Sequence, residues 1–140
     1  MNGGVLSLRG RVARLPYFGY SLAIFSLVLV LIGGGGTVIY YGRTGSDPMG
    51  AWVVGGVLIV FGVVLGWWIH FALLIKRLHD IGLPGTHAIW IILLSFAGSA
   101  VFRPTPAVGI LLWLTSFGVG LWLLFQPGTP GPNRYGAPSS

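Results

Sequence analysis

Asp47 and Asp80 are the only carboxylate side chains in 140 residues, set against eight Lys and Arg and three His. On the side of the membrane that the charge pattern makes cytoplasmic, Asp80 is the only acidic residue, and it adjoins a histidine in the run Lys76-Arg77-Leu78-His79-Asp80. A His79–Asp80 pair could serve as base and orienter at a lipid head group. On a helix, Lys76 and Asp80 are four apart and Arg77 is three from Asp80, so the three share a face. The cations also suit the negative end of the helix dipole. That pattern favours a structural hub over a catalyst. A lone carboxylate among cations should bind a guanidinium from far along the chain, and Arg11, Arg14 and Arg134 are the candidates.

Other constellations are weaker. His79, Asp80 and His87 could approach a metal, but the spacing fits no recognised zinc pattern and Lys76 and Arg77 would repel a cation. No cysteine is present, which removes disulfides, thiolate nucleophiles and thiolate metal sites. Ser7, Ser21, Ser26, Ser95, Ser99 and Ser116 lie in no Gly-x-Ser-x-Gly elbow. The glycines at 33–36 sit inside an apolar run and form no phosphate cradle. No catalytic residue, cofactor or metal is assigned. His70, among Trp67, Trp68 and Phe71, is an in-membrane polar group expected to hydrogen-bond a neighbouring helix. A proton relay or a cofactor ligand is its alternative role, although no second in-membrane histidine completes a haem pair.

The elements that must position these groups follow from composition. Charged residues are 7% and apolar residues 54% of the chain, against about 25% and about 45–50% in soluble domains. Ten charges cannot cover a soluble surface of this size. The fold class expected is all-α integral membrane, because lipid leaves no backbone group to water and four strands cannot close a barrel. Four apolar segments give the spans, at about 16–41, 51–75, 87–102 and 107–125. The third is short for a full crossing, and a re-entrant segment is its alternative; Arg103 could extend it by snorkelling. Residues 1–126 then form a four-helix membrane domain and 127–140 a coil tail rich in Pro and Gly.

Val5, Leu8, Val12 and Leu15 recur at helical spacing, which predicts a short N-terminal interfacial helix carrying Arg9, Arg11 and Arg14 against an anionic leaflet. The apolar stretch behind them exceeds a signal-peptide core and is expected to be a retained anchor. Asp47-Pro48, Thr86 and Thr105-Pro106 read as helix starts, and Gly82 as a left-handed helix end. Gly62-x-x-x-Gly66 reads as a close helix-packing surface, within the chain or along a homodimer seam. With the N-terminus inside, Arg9, Arg11, Arg14, Lys76, Arg77 and Arg134 are cytoplasmic, and only Arg43 and Arg103 are outside. The positive-inside rule then places both termini in the cytoplasm.

Three stretches together resemble one known family. Arg9-Gly10-Arg11-Val12-Ala13-Arg14 leading to Tyr17 is similar to its N-terminal element. Lys76-Arg77-Leu78-His79-Asp80 with Gly82 and Gly85 resembles its signature, with Lys76 where the family usually carries Arg. Gly131-Pro132-Asn133-Arg134-Tyr135-Gly136 resembles its closing motif. This is the bacterial inner-membrane family called domain of unknown function 805. The resemblance implies a small, four-helix bacterial inner-membrane protein and no particular reaction. In the expected topology Arg11, Arg14, Tyr17, Lys76, Arg77, His79, Asp80, Asn133 and Arg134 gather into one cytoplasmic polar cap.

The functional expectation is a non-enzymatic membrane component, an accessory subunit or an assembly or lipid-binding factor. Its partner would be anionic phospholipid, with a larger membrane complex or a homo-oligomer as further partners and no nucleic acid. A small transporter or channel is one alternative, and an interfacial enzyme acting on lipid head groups is another.

Overall fold

Long runs without a charge leave the backbone no partner but itself, and helices result. In the computed structural model, which describes residues 6–137, the chain forms four: α1 (Arg14–Gly42), α2 (Pro48–Asp80), α3 (His87–Phe102) and α4 (Pro106–Phe125). Among the described residues the only extended pairing is an isolated bridge between Asn133 and Gly136. Helices α1, α2 and α4 have 29, 33 and 20 residues and are long and apolar enough to cross a membrane. Helix α3 has 16 residues, which at 1.5 Å each is about 24 Å and short of a roughly 30 Å hydrocarbon core. Only 6% of the most apolar stretch of α1 and 11% of that of α4 is buried within the protein. Surfaces this apolar and this uncovered need lipid as their solvent.

Helix ends follow local chemistry, with two departures from expectation. Asp47 Oδ1 accepts the Gly50 N–H at 2.9 Å and opens α2. Thr86 does not cap α3, because the carbonyls of Pro84, Gly85 and Thr86 already take the N–H groups of His87, Ala88 and Ile89. Thr105 does not cap α4 either; its hydroxyl turns back to Val101 O at 3.2 Å and serves the end of α3. Gly82, at φ +85°, ends α2 as expected. Its N–H bonds His79 O and that of Leu83 bonds Leu78 O, the paired bonds of a Schellman turn.

The described residues 6–13 are not the interfacial helix that the spacing predicts; they run as turn, bend and coil, and Val5 lies outside the described residues. The physical reason is competition for the backbone and for Arg11. Gly10 takes φ +97°, Val12 N–H bonds Lys76 O at 3.3 Å, and both Arg11 and Val12 are buried. A helix on the surface would have kept Arg11 solvated and forfeited these contacts.

The chain divides into two units, one made of the residues before Gly19 and after His70, the other of Gly19–His70. In the second, α1 and α2 pack antiparallel through small residues. A Cβ at Gly35 would stand 2.5 Å from Gly55 O, one at Gly62 2.9 Å from Leu31 Cβ, and one at Gly66 2.5 Å from Val28 Cγ2. Gly62 and Gly66 are therefore used inside the chain. In the first unit, Leu74, Ile75 and Leu78 of α2 meet Ala88 of α3 and Leu123 of α4 in a small apolar core. The polar knot described next belongs to this same unit.

Candidate functional site

Among the described residues, burial is densest in the last turns of α2, where residues 72–78 and Asp80 are all buried. Four of the buried side chains are ionic, Arg11, Lys76, Arg77 and Asp80. Asp80 is the hub. Its Oδ1 accepts Arg11 Nε at 3.1 Å and its Oδ2 accepts Arg77 Nη1 at 2.6 Å. Its backbone carbonyl accepts Thr129 N at 2.8 Å and Thr129 Oγ1 at 3.0 Å. The partner 69 positions away is one of the three distant arginines expected to meet this carboxylate in a low-dielectric setting, where an unpaired charge is costly.

Arg11 does more than neutralise. Its Nη1 donates to Gly131 O at 2.8 Å and Gly136 O at 3.3 Å. Its Nη2 donates to Thr129 O at 2.8 Å, Thr129 Oγ1 at 3.0 Å and Asp80 O at 3.3 Å. The planar five-donor fork thus spans the end of α2 and the tail in one step, which a lysine could not do. Arg77 reaches the other way: Nε donates to Leu123 O at 2.7 Å and Nη2 to Gln126 O. It thereby serves carbonyls at the C-terminus of α4, where the helix dipole favours a cation.

The tail closes the knot. Asn133 Nδ2 donates to His79 O and to Thr129 Oγ1, each at 2.9 Å, and Asn133 Oδ1 accepts Tyr135 N–H. Asn133 and Gly136 exchange two backbone bonds at 3.0 Å, folding the loop tightly. Tyr135 then stacks on His79, with ring centroids 3.8 Å apart and planes 8° from parallel, while His79 Nδ1 meets Gly10 O at 3.2 Å. A methyl at Gly128 would collide with the Asp80 carboxylate.

Of the residues expected in the cap, Arg11, Arg77, His79, Asp80 and Asn133 come together directly. Lys76 is buried beside them and its carbonyl holds Val12; Tyr17 is also buried. Arg14 and Arg134 are exposed, Arg134 lying over the Tyr135 ring at 4.8 Å. Arg11 is not a lipid-facing cation, since the carboxylate and tail carbonyls occupy it. Thr129 and Gly128 were not legible in advance. A threonine and a glycine in a Pro- and Gly-rich coil carry no signal until the tail is folded onto α2.

Chemically, the carboxylate of the knot is fully engaged. Both Asp80 oxygens are held by guanidinium groups, and one face and one nitrogen of His79 are occupied, so the arrangement orders chain segments. Among the described residues no three His, Asp or Glu stand close enough to hold a metal. Two grooves lie outside the knot. One, of about 550 Å³, is lined by Arg14, Leu15, Phe18, Leu124 and Phe125. The other, of about 520 Å³, lies within the α1–α2 hairpin and includes Ser21 and His70.

Neither the curated proteins nor the solved structures contain a match to this chain. Residues 5–137 match the family described as protein of unknown function (DUF805), and the chain belongs to that family.

Proposed function

We propose that this protein is a non-enzymatic, multi-pass component of a bacterial inner (plasma) membrane that binds anionic phospholipid and serves as an accessory subunit of a larger assembly. In this reading the chain crosses four times with both termini in the cytoplasm, and the cation distribution supports it, with Arg9, Arg11, Arg14, Lys76, Arg77 and Arg134 inside and Arg43 and Arg103 outside. The short α3 completes its crossing by snorkelling of the exposed Arg103. With Arg11, Lys76 and Arg77 buried, the cations left to meet a head group on the inner side are Arg9, Arg14 and Arg134.

One observation carries this reading. Arg14 is exposed and stands on a groove otherwise lined by Leu15, Phe18, Leu124 and Phe125. A cation above apolar walls is complementary to a phosphate above an acyl chain. A basic residue near an anionic leaflet gains about 1 kcal/mol, roughly a fivefold change in affinity. Native mass spectrometry of protein purified with phosphatidylglycerol tests it. Arg14→Gln should lower phosphatidylglycerol retention about fivefold, and Arg43→Gln should leave it unchanged. Equal retention in the two variants would remove the physical support for an anionic-lipid site.

A further inference from the structure

A hydroxyl borne on a helix in apolar surroundings has a ready partner in the carbonyl four residues earlier. Six among the described residues take it: Ser26, Thr37, Ser95, Ser99, Thr115 and Ser116 donate to Leu22, Gly33, Ile91, Ser95, Leu111 and Leu112. Ser21 does not. Its Oγ is buried and makes no hydrogen bond within the protein. A buried hydroxyl without a partner is costly, and the cost is relieved by any acceptor that enters beside it.

Ser21 and His70 belong to the groove of about 520 Å³ within the Gly19–His70 unit. The close approach of Gly66 to Val28 fixes the level of the two helices. His70 lies about one turn beyond Gly66 and Ser21 about two turns before Val28, so both stand toward the same end of the hairpin. Phe25 and Trp67 flank that end, and Val28 and Ile32 continue the groove toward the middle of α1. From Ser21 to Ile32 the groove follows the helix for about 16 Å. Its lining holds no Lys, Arg, Asp or Glu.

We propose that this groove binds an isoprenoid quinone, with the ring at Ser21 and His70 and the tail along Val28 and Ile32. A quinone carbonyl accepts a hydrogen bond without bringing a charge. The Ser21 hydroxyl, turned about χ1, and an imidazole N–H of His70 are the donors it meets. Phe25 and Trp67 supply aromatic surface for a flat ring. The tail needs only an apolar trough open to lipid, which the rest of the groove provides. A phospholipid suits the groove poorly, because its phosphate would find no cation in the lining. The proposal concerns binding and includes no electron transfer.

The test uses the full chain in phosphatidylcholine nanodiscs, titrated with a menaquinone bearing a short isoprenoid tail and followed by quenching of tryptophan fluorescence. Saturable quenching is expected, and Trp67→Phe should remove most of it. Ser21→Ala and His70→Leu should each weaken binding about tenfold, the effect of losing one buried hydrogen bond. Ser21→Ala should also leave the thermal stability of the quinone-free protein unchanged or slightly raised, because it deletes a hydroxyl that bonds nothing. Four results would each overturn the proposal. They are unsaturable quenching, wild-type affinity in Ser21→Ala, loss of stability in quinone-free Ser21→Ala, and displacement of the quinone by phosphatidylglycerol.

Discussion

Replacing Arg11 with lysine keeps the charge and discards the fork, and that distinction separates a salt bridge from a clasp. Arg11 holds Asp80 Oδ1 through Nε, Gly131 O through Nη1 and Thr129 through Nη2. A lysine ammonium offers three donors from one atom. If it stays with Asp80, the buried or half-buried carbonyls of Thr129 and Gly131 lose their donor. At about 1–3 kcal/mol for each unsatisfied group, partly recovered by water, Arg11→Lys should cost about 2–4 kcal/mol. Arg11→Gln also breaks a buried ion pair and should cost about 3–5 kcal/mol. Thermal unfolding in mild detergent orders the variants as wild type, then Lys, then Gln. Hydrogen exchange adds the decisive readout: in Arg11→Lys the amides of Thr129, Asn133 and Gly136 should lose protection while those in α3 keep theirs. If Arg11→Lys matches wild type in both measurements while Arg11→Gln does not, charge alone holds the tail and the clasp is refuted. If both variants fall within about 1 kcal/mol of wild type, the pair is worth no more than a surface salt bridge.

Two paired comparisons test the same geometry. Asp80→Asn should destabilise by about 3–5 kcal/mol in the same unfolding assay, because two buried guanidinium groups lose their counter-charge. Asp47→Asn should change little, since Asp47 is exposed and asparagine caps a helix about as well as aspartate. Gly128→Ala should shift the unfolding midpoint clearly downward, its methyl colliding with the Asp80 carboxylate. Gly120→Ala, in open space on α4, should be neutral or stabilise by up to about 1 kcal/mol.

Much of this was legible because membrane helices announce themselves by absence of charge. The four segments expected at 16–41, 51–75, 87–102 and 107–125 differ from the helices by at most five residues at any end. The largest difference, at the end of α2, arises because Lys76 to Asp80 continue the helix beyond the apolar run. Asp80 was legible as a hub because a lone carboxylate among cations has few alternatives. The N-terminal element was misread for a definable reason. Val5, Leu8, Val12 and Leu15 have helical spacing, but spacing reports only local preference, and the bonds that decide residues 6–13 come from Lys76, Asp80 and the tail. Gly35 meeting Gly55 O was equally hidden, because four glycines at 33–36 look alike until α2 is laid against one of them.

The knot also bears on where a ligand should be sought. Arg11, Arg77, His79, Asp80 and Asn133, from the three motifs that carry the family resemblance, are spent on one another and on backbone carbonyls. Residues so engaged preserve the fold whatever the protein does, and a signature made of them identifies an architecture. A binding role falls instead to polar groups that the knot does not absorb. Arg14 is one, outside the knot although it belongs to the N-terminal motif, with an apolar groove beside it. Ser21 is another, with a buried hydroxyl that bonds nothing in a groove shared with His70. Disabling the knot and disabling these grooves should therefore have separable effects. Arg11→Gln should reduce the amount of folded protein and leave quinone and phosphatidylglycerol affinity per folded molecule unchanged, whereas Arg14→Gln and Ser21→Ala should do the reverse. An Arg11→Gln protein that folds fully yet loses either ligand would make the knot itself a binding site, and this division of labour would fall.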